Sequence, residues 1–336
     1  MKIVVFEVEE WERRAFEALE AEHEIEYVDD LLTQENVTTH AAADVISPFI
    51  YSNLSGDVLR RMSHLKLIAT RSTGFDHIDL AYCNANGITV CNVPVYGDNT
   101  VAEHVFALLL AISHKLVEAV DRTRRGDFSL QGLRGFDLRG KTLGVIGTGS
   151  IGQCVIEIAK GFRMEVVAFD VKPSEELAAR MGFRYADMDE LLATADIVTL
   201  HVPSNEKTRN MLSHGEFAKM KDGVVLINTA RGDIVDIRAL AKAIGEGKVA
   251  AAGLDVLPEE SAVREEAELL YSVYREKYDL ETLLVNHILL RLRNVIITPH
   301  SAFNTREAVE RILGTTVDNI LAFARGEPRN VAGKGK

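Results

Sequence analysis

Cysteine is nearly absent. Cys83, Cys91 and Cys154 are the only three in 336 residues, and no pair has CxxC spacing. A disulfide framework is therefore not expected, and a reducing compartment is. Nor is a metal site expected. Long apolar runs are also missing: the longest, Val105 to Ile112, is far too short to cross a bilayer. The opening Met1-Lys-Ile-Val-Val-Phe-Glu turns acidic at once and does not read as a signal peptide. A cytoplasmic protein is expected. Basic excess is lacking as well. Lys+Arg 38 against Asp+Glu 50 gives a net charge of −12, which argues against a general nucleic-acid surface but not against a local anion pocket. No membrane or nucleic-acid partner is expected. Internal repeats and low-complexity stretches are absent. The one tryptophan, Trp11, falls in an acidic amphipathic stretch, Glu10 to Ala21, that reads as a helix with Trp11 packed inward.

What is present is organised around Thr142-Leu-Gly-Val-Ile-Gly-Thr-Gly-Ser-Ile-Gly152. The apolar run Thr142 to Ile146 reads as a buried strand, and Ile151 to Phe162 as a helix. Between them Gly147, Gly149 and Gly152 have G-x-G-x-x-G spacing, which suits a tight turn and a close approach of backbone to a pyrophosphate at a helix N-terminus. The next strand, Glu165 to Phe169, ends in Asp170. That acid stands 18 positions past Gly152 (170 − 152), near the spacing of a group that holds a ribose 2′-hydroxyl and repels a 2′-phosphate. NAD is the expected cofactor, and Lys172 nearby leaves some NADP use open.

Before this motif, Lys2 to Phe6, Ile25 to Val28, Val45 to Ser47, Leu65 to Thr70 and Ile88 to Val93 read as strands. A helix starting after Ser55 and running to about Met62 lies among them, so a parallel sheet is expected. The fourth strand runs into Arg71-Ser-Thr-Gly-Phe-Asp-His-Ile-Asp79. Ligands sit beyond the carboxyl ends of such strands, and Thr73 and Gly74 could offer two N–H groups to a carboxylate there, or simply turn the chain into a helix. A long helix is predicted from Val101 to about Arg122, apolar almost all round in its middle. Such a helix is buried between layers, at a domain junction or in a subunit interface, and a homodimer is expected. Glu103 and His104 in its first turn read as structural. From Thr142 onward strands end at Gly147, Asp170, Val202, Thr229, Val256 and His300, the pattern of a six-stranded doubly wound domain. Residues 101–300 are assigned to it. Residues 1–100 form a separate α/β domain, completed by 301–336, whose final helix is expected to return and cover it. A ligand site is expected in the cleft between the two.

Three groups follow strands of the second domain: Arg231, Glu260 and His300. Reduction of a 2-oxo acid by nicotinamide needs a forked cation for the carboxylate and carbonyl, which suits Arg231. It needs a proton donor with a pKa near working pH, which suits His300. A carboxylate beside that imidazole raises its pKa and orients it, which suits Glu260. Asp255 could accept from the nicotinamide carboxamide or serve as a strand-end hydrogen-bonding group.

Taken together, Gly147-Thr-Gly-Ser-Ile-Gly152 with Asp170, Asn228-Thr-Ala-Arg-Gly-Asp233, Leu254-Asp-Val-Leu-Pro-Glu-Glu260 and Thr298-Pro-His300 resemble the NAD-dependent D-isomer-specific 2-hydroxyacid dehydrogenase family over nearly the whole chain. The resemblance implies two doubly wound α/β domains, a Rossmann cofactor domain and a flavodoxin-like substrate domain. It implies Arg231 as substrate binder, His300 as proton donor and Glu260 as its partner. Cofactor contacts are implied at Ser150, Ile151, Asp170, Val202, Pro203, Thr208, Thr229, Ala230 and Asp255, with Thr73 and Gly74 on the substrate carboxylate. Three segments look most like the D-lactate dehydrogenase branch: Arg71 to Asp79, Asn92 to Tyr96 and His300 to Phe303. In that branch Tyr96 and Phe303 would wall a pocket for a methyl group, unless they only pack. Pyruvate reduction to D-lactate is thus the leading expectation. Glyoxylate, hydroxypyruvate or a bulkier 2-oxo acid is the alternative substrate, and an NAD-sensing corepressor the alternative class. Glu260 and His300 stand 40 apart (300 − 260), farther than the family pattern has them. The charged stretch Ser261 to Asp279 between them is read as an added helical flap that could cover the cleft.

Overall fold

The computed structural model describes residues 1–258 and 279–333. Glu260, all but the last residue of the Ser261 to Asp279 stretch read as a flap, and the last three residues of the tail lie outside them. The chain divides into two units, Met1–Gly97 with Asn304–Lys336, and Asp98–Phe303.

In the first unit Lys2–Phe6 (β1), Glu24–Val28 (β2), Val45–Ser47 (β3), Leu67–Ala69 (β4) and Thr89–Cys91 (β5) form one sheet in the order β2-β1-β3-β4-β5, every pair parallel. This is the flavodoxin-like doubly wound order. Its inner strands read as continuous apolar runs because both faces are covered. Val4, Phe6, Ile46, Ile68 and Val90 pack with Leu54, Val58 and Leu59 in one core. Helix Arg306–Ala324 packs on β4 and on the short turn of helix Arg13–Phe16. Beyond it the chain lies antiparallel along β5, with Ala332 N–H donating to the Val90 carbonyl and Val331 bridging Cys91.

The second unit carries seven parallel strands: Thr142–Ile146 (β6), Glu165–Phe169 (β7), Arg184–Tyr185 (β8), Ile197–Leu200 (β9), Val224–Asn228 (β10), Val249–Leu254 (β11) and Val295–Ile297 (β12). Their order is β12-β11-β10-β9-β6-β7-β8, a Rossmann sheet whose direction of winding switches between β6 and β9. Side chains alternate between two separate cores. Leu143, Val145, Val225 and Ile227 face helices Asp98–Ser113 and Ser150–Gly161. Ile146, Val224, Leu226 and Leu254 face helices Met188–Thr194, His214–Lys219 and Ile237–Gly245. Helix N-termini follow local chemistry: Ser213 and Glu216 make the capping box their spacing predicts, and Asp236 caps Ile237–Gly245 through Arg238 and Ala239 N–H.

Four expectations change. The stretch Glu10 to Ala21 is a 3-10 turn, Arg13–Phe16, followed by a single helical turn, Glu17–Glu20. Trp11 is not packed inside: it is 50% exposed and donates to Glu9. The long helix breaks. Asp98–Ser113 ends where Lys115 takes φ 49°, and Leu116–Arg124 continues at 61° to it. The cause is the returning chain: Phe136 N–H takes the Ser113 carbonyl, and a Cβ on Gly135 would sit 1.8 Å from that oxygen. The apolar middle of the first helix is buried within its own unit, between the sheet and helix Ser150–Gly161. Finally the sheet has seven strands, because the two-residue β8 is too short to leave a pattern. Among the described residues no single helix is long and apolar enough to cross a membrane.

Candidate active site

Parallel strands put all their carboxyl ends on one edge, and most of the expected residues of the second unit gather there. The three motif glycines meet three different demands. Gly147 has φ 98°, and a Cβ on it would lie 2.5 Å from the His201 carbonyl oxygen. A Cβ on Gly152 would lie 2.1 Å from the Gly147 oxygen, so helix and strand pack with only hydrogen between them. Gly149 has nothing within 4 Å on that side, leaving open space over the helix N-terminus. No side chain caps helix Ser150–Gly161 there, so its first N–H groups and its dipole are available to an anion.

Asp170 stands beside this turn. Its Oδ2 accepts from Thr148 N–H at 2.8 Å and from Thr148 Oγ1 at 2.9 Å, and Oδ1 from Lys172 N–H. Burial pushes the carboxyl up, but these bonds outweigh it and hold its pKa below the usual range. Since Thr148 spends its one hydroxyl proton on Asp170, the Tyr185 hydroxyl donates to Thr148 at 2.9 Å. On β9's end, His201 sits 2.9 Å from Thr199 Oγ1, and burial pulls its pKa down to about 3, so the ring is neutral. Val202 and Pro203 follow it. Thr208 Oγ1 donates to the Pro203 carbonyl and accepts from Asn205 N–H, which folds that loop on itself. Thr148, Tyr185 and His201 carry no sequence signal for these roles. Their partners are far along the chain, apart from the nearby Thr199.

After β10, the buried Asn228 fixes the next residues, accepting from Ala230 N–H at 3.0 Å and donating to the Arg231 carbonyl at 2.9 Å. Arg231 itself donates to the Ala230 carbonyl at 2.7 Å. A Cβ on Gly232 would lie 2.1 Å from the Leu257 carbonyl carbon, so the loops after β10 and β11 run in contact. The Thr229 hydroxyl is buried and has no partner among the described residues. This orphaned donor and the open side of Gly149 are two features that a bound dinucleotide would complete.

Asp255 realises the strand-end alternative. It is 1% exposed, and its carboxylate accepts from Thr298 Oγ1 at 2.5 Å, Ser301 N–H at 2.9 Å and Ala302 N–H at 2.9 Å, with His104 Nε2 at 3.4 Å. Burial pushes this carboxyl up, but bonds from His104, Thr298, Ala302 and Ser301 keep its pKa low. His104, which also meets Thr298 Oγ1 at 3.0 Å, is thus a satisfied structural histidine. The loop wound on Asp255 carries His300 in the left-handed region, φ 52°, with its N–H on the Asp255 and Thr298 carbonyls, both at 2.9 Å. A non-glycine residue there is strained by roughly 1–2 kcal/mol, and the closed loop imposes it.

In the first unit the turn after β4 has its carbonyls pinned. Val93 N–H takes the Ser72 oxygen at 2.9 Å, Asn92 Nδ2 takes the Thr73 oxygen at 2.7 Å, and Ser72 Oγ takes the Gly74 oxygen at 2.6 Å. No peptide here is cis, so each N–H points opposite its pinned carbonyl. Thr73 and Gly74 N–H therefore each point away from a pinned carbonyl, and among the described residues nothing accepts from either. Arg71, 2% exposed, braces the turn by donating to the carbonyls of Ser47, Phe6 and Glu7. Sequence reasoning gave it no role. Tyr96 is half-buried in this unit, with its carbonyl accepting from Arg311 Nε. Phe303 is half-buried at the end of the other.

Residues 106–302, more than half of the chain, match the family described as D-isomer specific 2-hydroxyacid dehydrogenase, NAD binding domain. The chain belongs to this family. It is an NAD-dependent 2-hydroxyacid dehydrogenase with a Rossmann cofactor domain, and NAD is its cofactor. It is similar to D-lactate dehydrogenase from Escherichia coli, 32% identical over 97% of this chain and 98% of that one. Glycerate dehydrogenase from Methylorubrum extorquens is 34% identical over 92% of both. The solved D-lactate dehydrogenase from Aquifex aeolicus, complexed with NAD and lactic acid, superposes with a TM-score of 0.85 at 37% identity, covering 97% of this dehydrogenase and 96% of its own chain.

Proposed function

We propose that this dehydrogenase reduces pyruvate: pyruvate + NADH + H⁺ → D-lactate + NAD⁺. The observation that carries the reading is its likeness, over 97% of the chain, to the structure that holds NAD and lactic acid. NADH, when bound, supplies the hydride. Ser150, Ile151, Asp170, Val202, Pro203, Thr208, Thr229 and Ala230 are assigned to holding it, and a carboxamide contact at Asp255 would add a further donor to an already engaged carboxylate. The substrate carboxylate is assigned to the N–H groups of Thr73 and Gly74 and to the fork of Arg231, which also polarises the carbonyl. His300 gives its proton to the oxygen that becomes the hydroxyl. Glu260 is assigned to keeping the imidazole protonated and oriented. Tyr96 and Phe303 are assigned to the methyl group. The partition into a substrate domain, 1–100 with 301–336, and a cofactor domain, 101–300, belongs to the same reading.

The likeness to a glycerate dehydrogenase supports a second reading, with hydroxypyruvate or glyoxylate as substrate. NADH oxidation across a panel of 2-oxo acids, with chiral analysis of the product, separates them. Pyruvate is expected to have the highest kcat/KM and to yield the D isomer. A preference of about tenfold or more for another acid would overturn the assignment.

A homodimer belongs to the proposal too. Leu116, Val117, Phe128 and Leu130 are 54 to 84% exposed on one arm of the cofactor unit. The arm borders a cavity of about 1090 Å³ at the amino edge of the sheet, lined by apolar residues such as Ile112, Phe136 and Leu292 and by charged ones such as Arg125, Asp196 and Arg293. Four large apolar side chains left in solvent on one arm are more than scattered surface residues need, and we assign them to a two-fold contact between copies of this chain. Sedimentation should give twice the chain mass, and Phe128→Asp with Leu130→Asp should halve it. A monomeric parent refutes the dimer. The three free cysteines fit a cytoplasmic setting.

A further inference from the structure

We propose that Asn319 and Asn330 are positioning residues of the substrate-carboxylate turn, acting through Asn92. The proposal rests on the reading of Thr73–Gly74 as the anion site.

The three asparagines form one chain of amide hydrogen bonds. Asn330 Nδ2 donates to Asn319 Oδ1 at 2.9 Å, Asn319 Nδ2 to the Asn92 carbonyl at 2.9 Å, and Asn92 Nδ2 to the Thr73 carbonyl at 2.7 Å. Asn92 N–H in turn donates to the Asn330 carbonyl at 3.1 Å. Both backbone groups of Asn92 are therefore held by the C-terminal segment, and its side chain holds the turn. Asn319 is 1% exposed and Asn92 is 9% exposed. A buried amide costs stability unless its groups are paired, and asparagine is a poor helix residue. An aliphatic side chain would fill a buried position on helix Arg306–Ala324 without that cost. What the amide supplies instead is direction. With its oxygen fixed by Asn330, Asn319 can present only its N–H₂ to Asn92.

Direction matters because the turn works through peptide orientation. The Thr73–Gly74 peptide projects its N–H outward only while its oxygen is drawn inward by Asn92. Without that bond the peptide plane can rotate, and one of the two N–H groups offered to the carboxylate is lost. The sequence separation explains why no local pattern reveals the arrangement: Asn319 and Asn92 are 227 positions apart.

The test uses the full-length enzyme with Asn319→Ala, Asn319→Asp and Asn330→Gly. Asn319→Asp keeps the size and the acceptor for Asn330 but removes the donor to Asn92. Asn330 is exposed at φ 51°, a conformation glycine adopts freely, so Asn330→Gly removes the outermost amide without backbone strain. The readouts are KM for pyruvate, the Kd of oxamate on the NADH-bound enzyme, kcat, and the Kd of NADH. For both Asn319 variants KM and the oxamate Kd should rise about tenfold, and for Asn330→Gly about threefold, with kcat and the NADH Kd changed less than about twofold. Unchanged KM and oxamate affinity in folded variants overturns the proposal. So does a fall of kcat and NADH affinity in step with the rise in KM, which marks general loosening. If the Asn319 variants fail to melt cooperatively, Asn330→Gly decides alone. Gly74→Pro, which deletes one of the two N–H groups, separates the two layers of the argument. If it leaves KM unchanged, the anion-turn reading fails. If it raises KM while the asparagine variants do not, only the relay fails.

Discussion

Gly149 and Gly152 belong to one motif yet answer to different demands, and substitution should separate them. An added methyl on Gly152 meets the Gly147 oxygen at 2.1 Å, so Gly152→Ala must push helix Ser150–Gly161 off its strand, at a cost of about 1–3 kcal/mol. On Gly149 the same methyl meets nothing within 4 Å, so Gly149→Ala should leave thermal stability unchanged while weakening NADH binding about tenfold or more, because the methyl occupies the space over the helix N-terminus. Melting curves and NADH titration check both. A destabilised Gly149→Ala, or one that binds NADH normally, would remove the phosphate role. The tight turn at Gly147 and the close packing at Gly152 were legible because backbone space is set by local sequence. The partners of Asp255 and the roles of Thr148 and Arg71 were not. For Asp255 a carboxamide acceptor and a strand-end hydrogen-bonding group were both open from its place at a strand end, and only its partners were hidden. Its engagement by Thr298, Ser301 and Ala302 depends on a loop more than 40 positions away.

At the level of elements, strands β1, β3, β6 and β7 have the ends their apolar runs predict, since both faces of each sheet are covered. The capping box at Ser213 was equally readable, its partners being three residues apart. Elements went astray where a distant segment intervenes. The apolar pattern from Val101 carried the reading through His114, but the Gly135–Phe136 segment takes the Ser113 carbonyl and turns the chain there. The acidic stretch at Glu10 has helical spacing, yet it settles into a 3-10 turn and leaves Trp11 in solvent. A helix of so few residues is decided by tertiary contact, not by propensity. The same distinction holds for His300: the Thr298-Pro-His300 motif was visible, but the φ of 52° that aims it comes from the loop closing on Asp255.

For the molecule as a whole, the return of helix Arg306–Ala324 to pack on β4 was readable, because no other segment remained to cover that sheet. The response to acid was not, since it depends on which groups the fold buries. The half-buried His201 is kept neutral, its pKa drawn down by desolvation to about 3. An unfolded chain protonates this histidine near pH 6.5. As pH falls from about 6.5 toward 3, the unfolded state therefore binds a proton that the folded state refuses, and stability is lost. Asp170, Asp196 and Asp255, whose carboxyls the fold holds below the usual range, act in the same sense but only lower, as the unfolded carboxyls protonate near about pH 4. The first loss, between pH 6.5 and 5, thus belongs to His201. It should reach about 1–2 kcal/mol at pH 5, a fall in Tm of roughly 3–8 °C. In His201→Asn, which keeps a polar partner for Thr199 but cannot titrate, the melting temperature should stay level between pH 7 and 5 and decline only below that. A parent enzyme that melts equally at pH 7 and 5, or a variant that follows the parent's slope, would show that His201 is not held neutral.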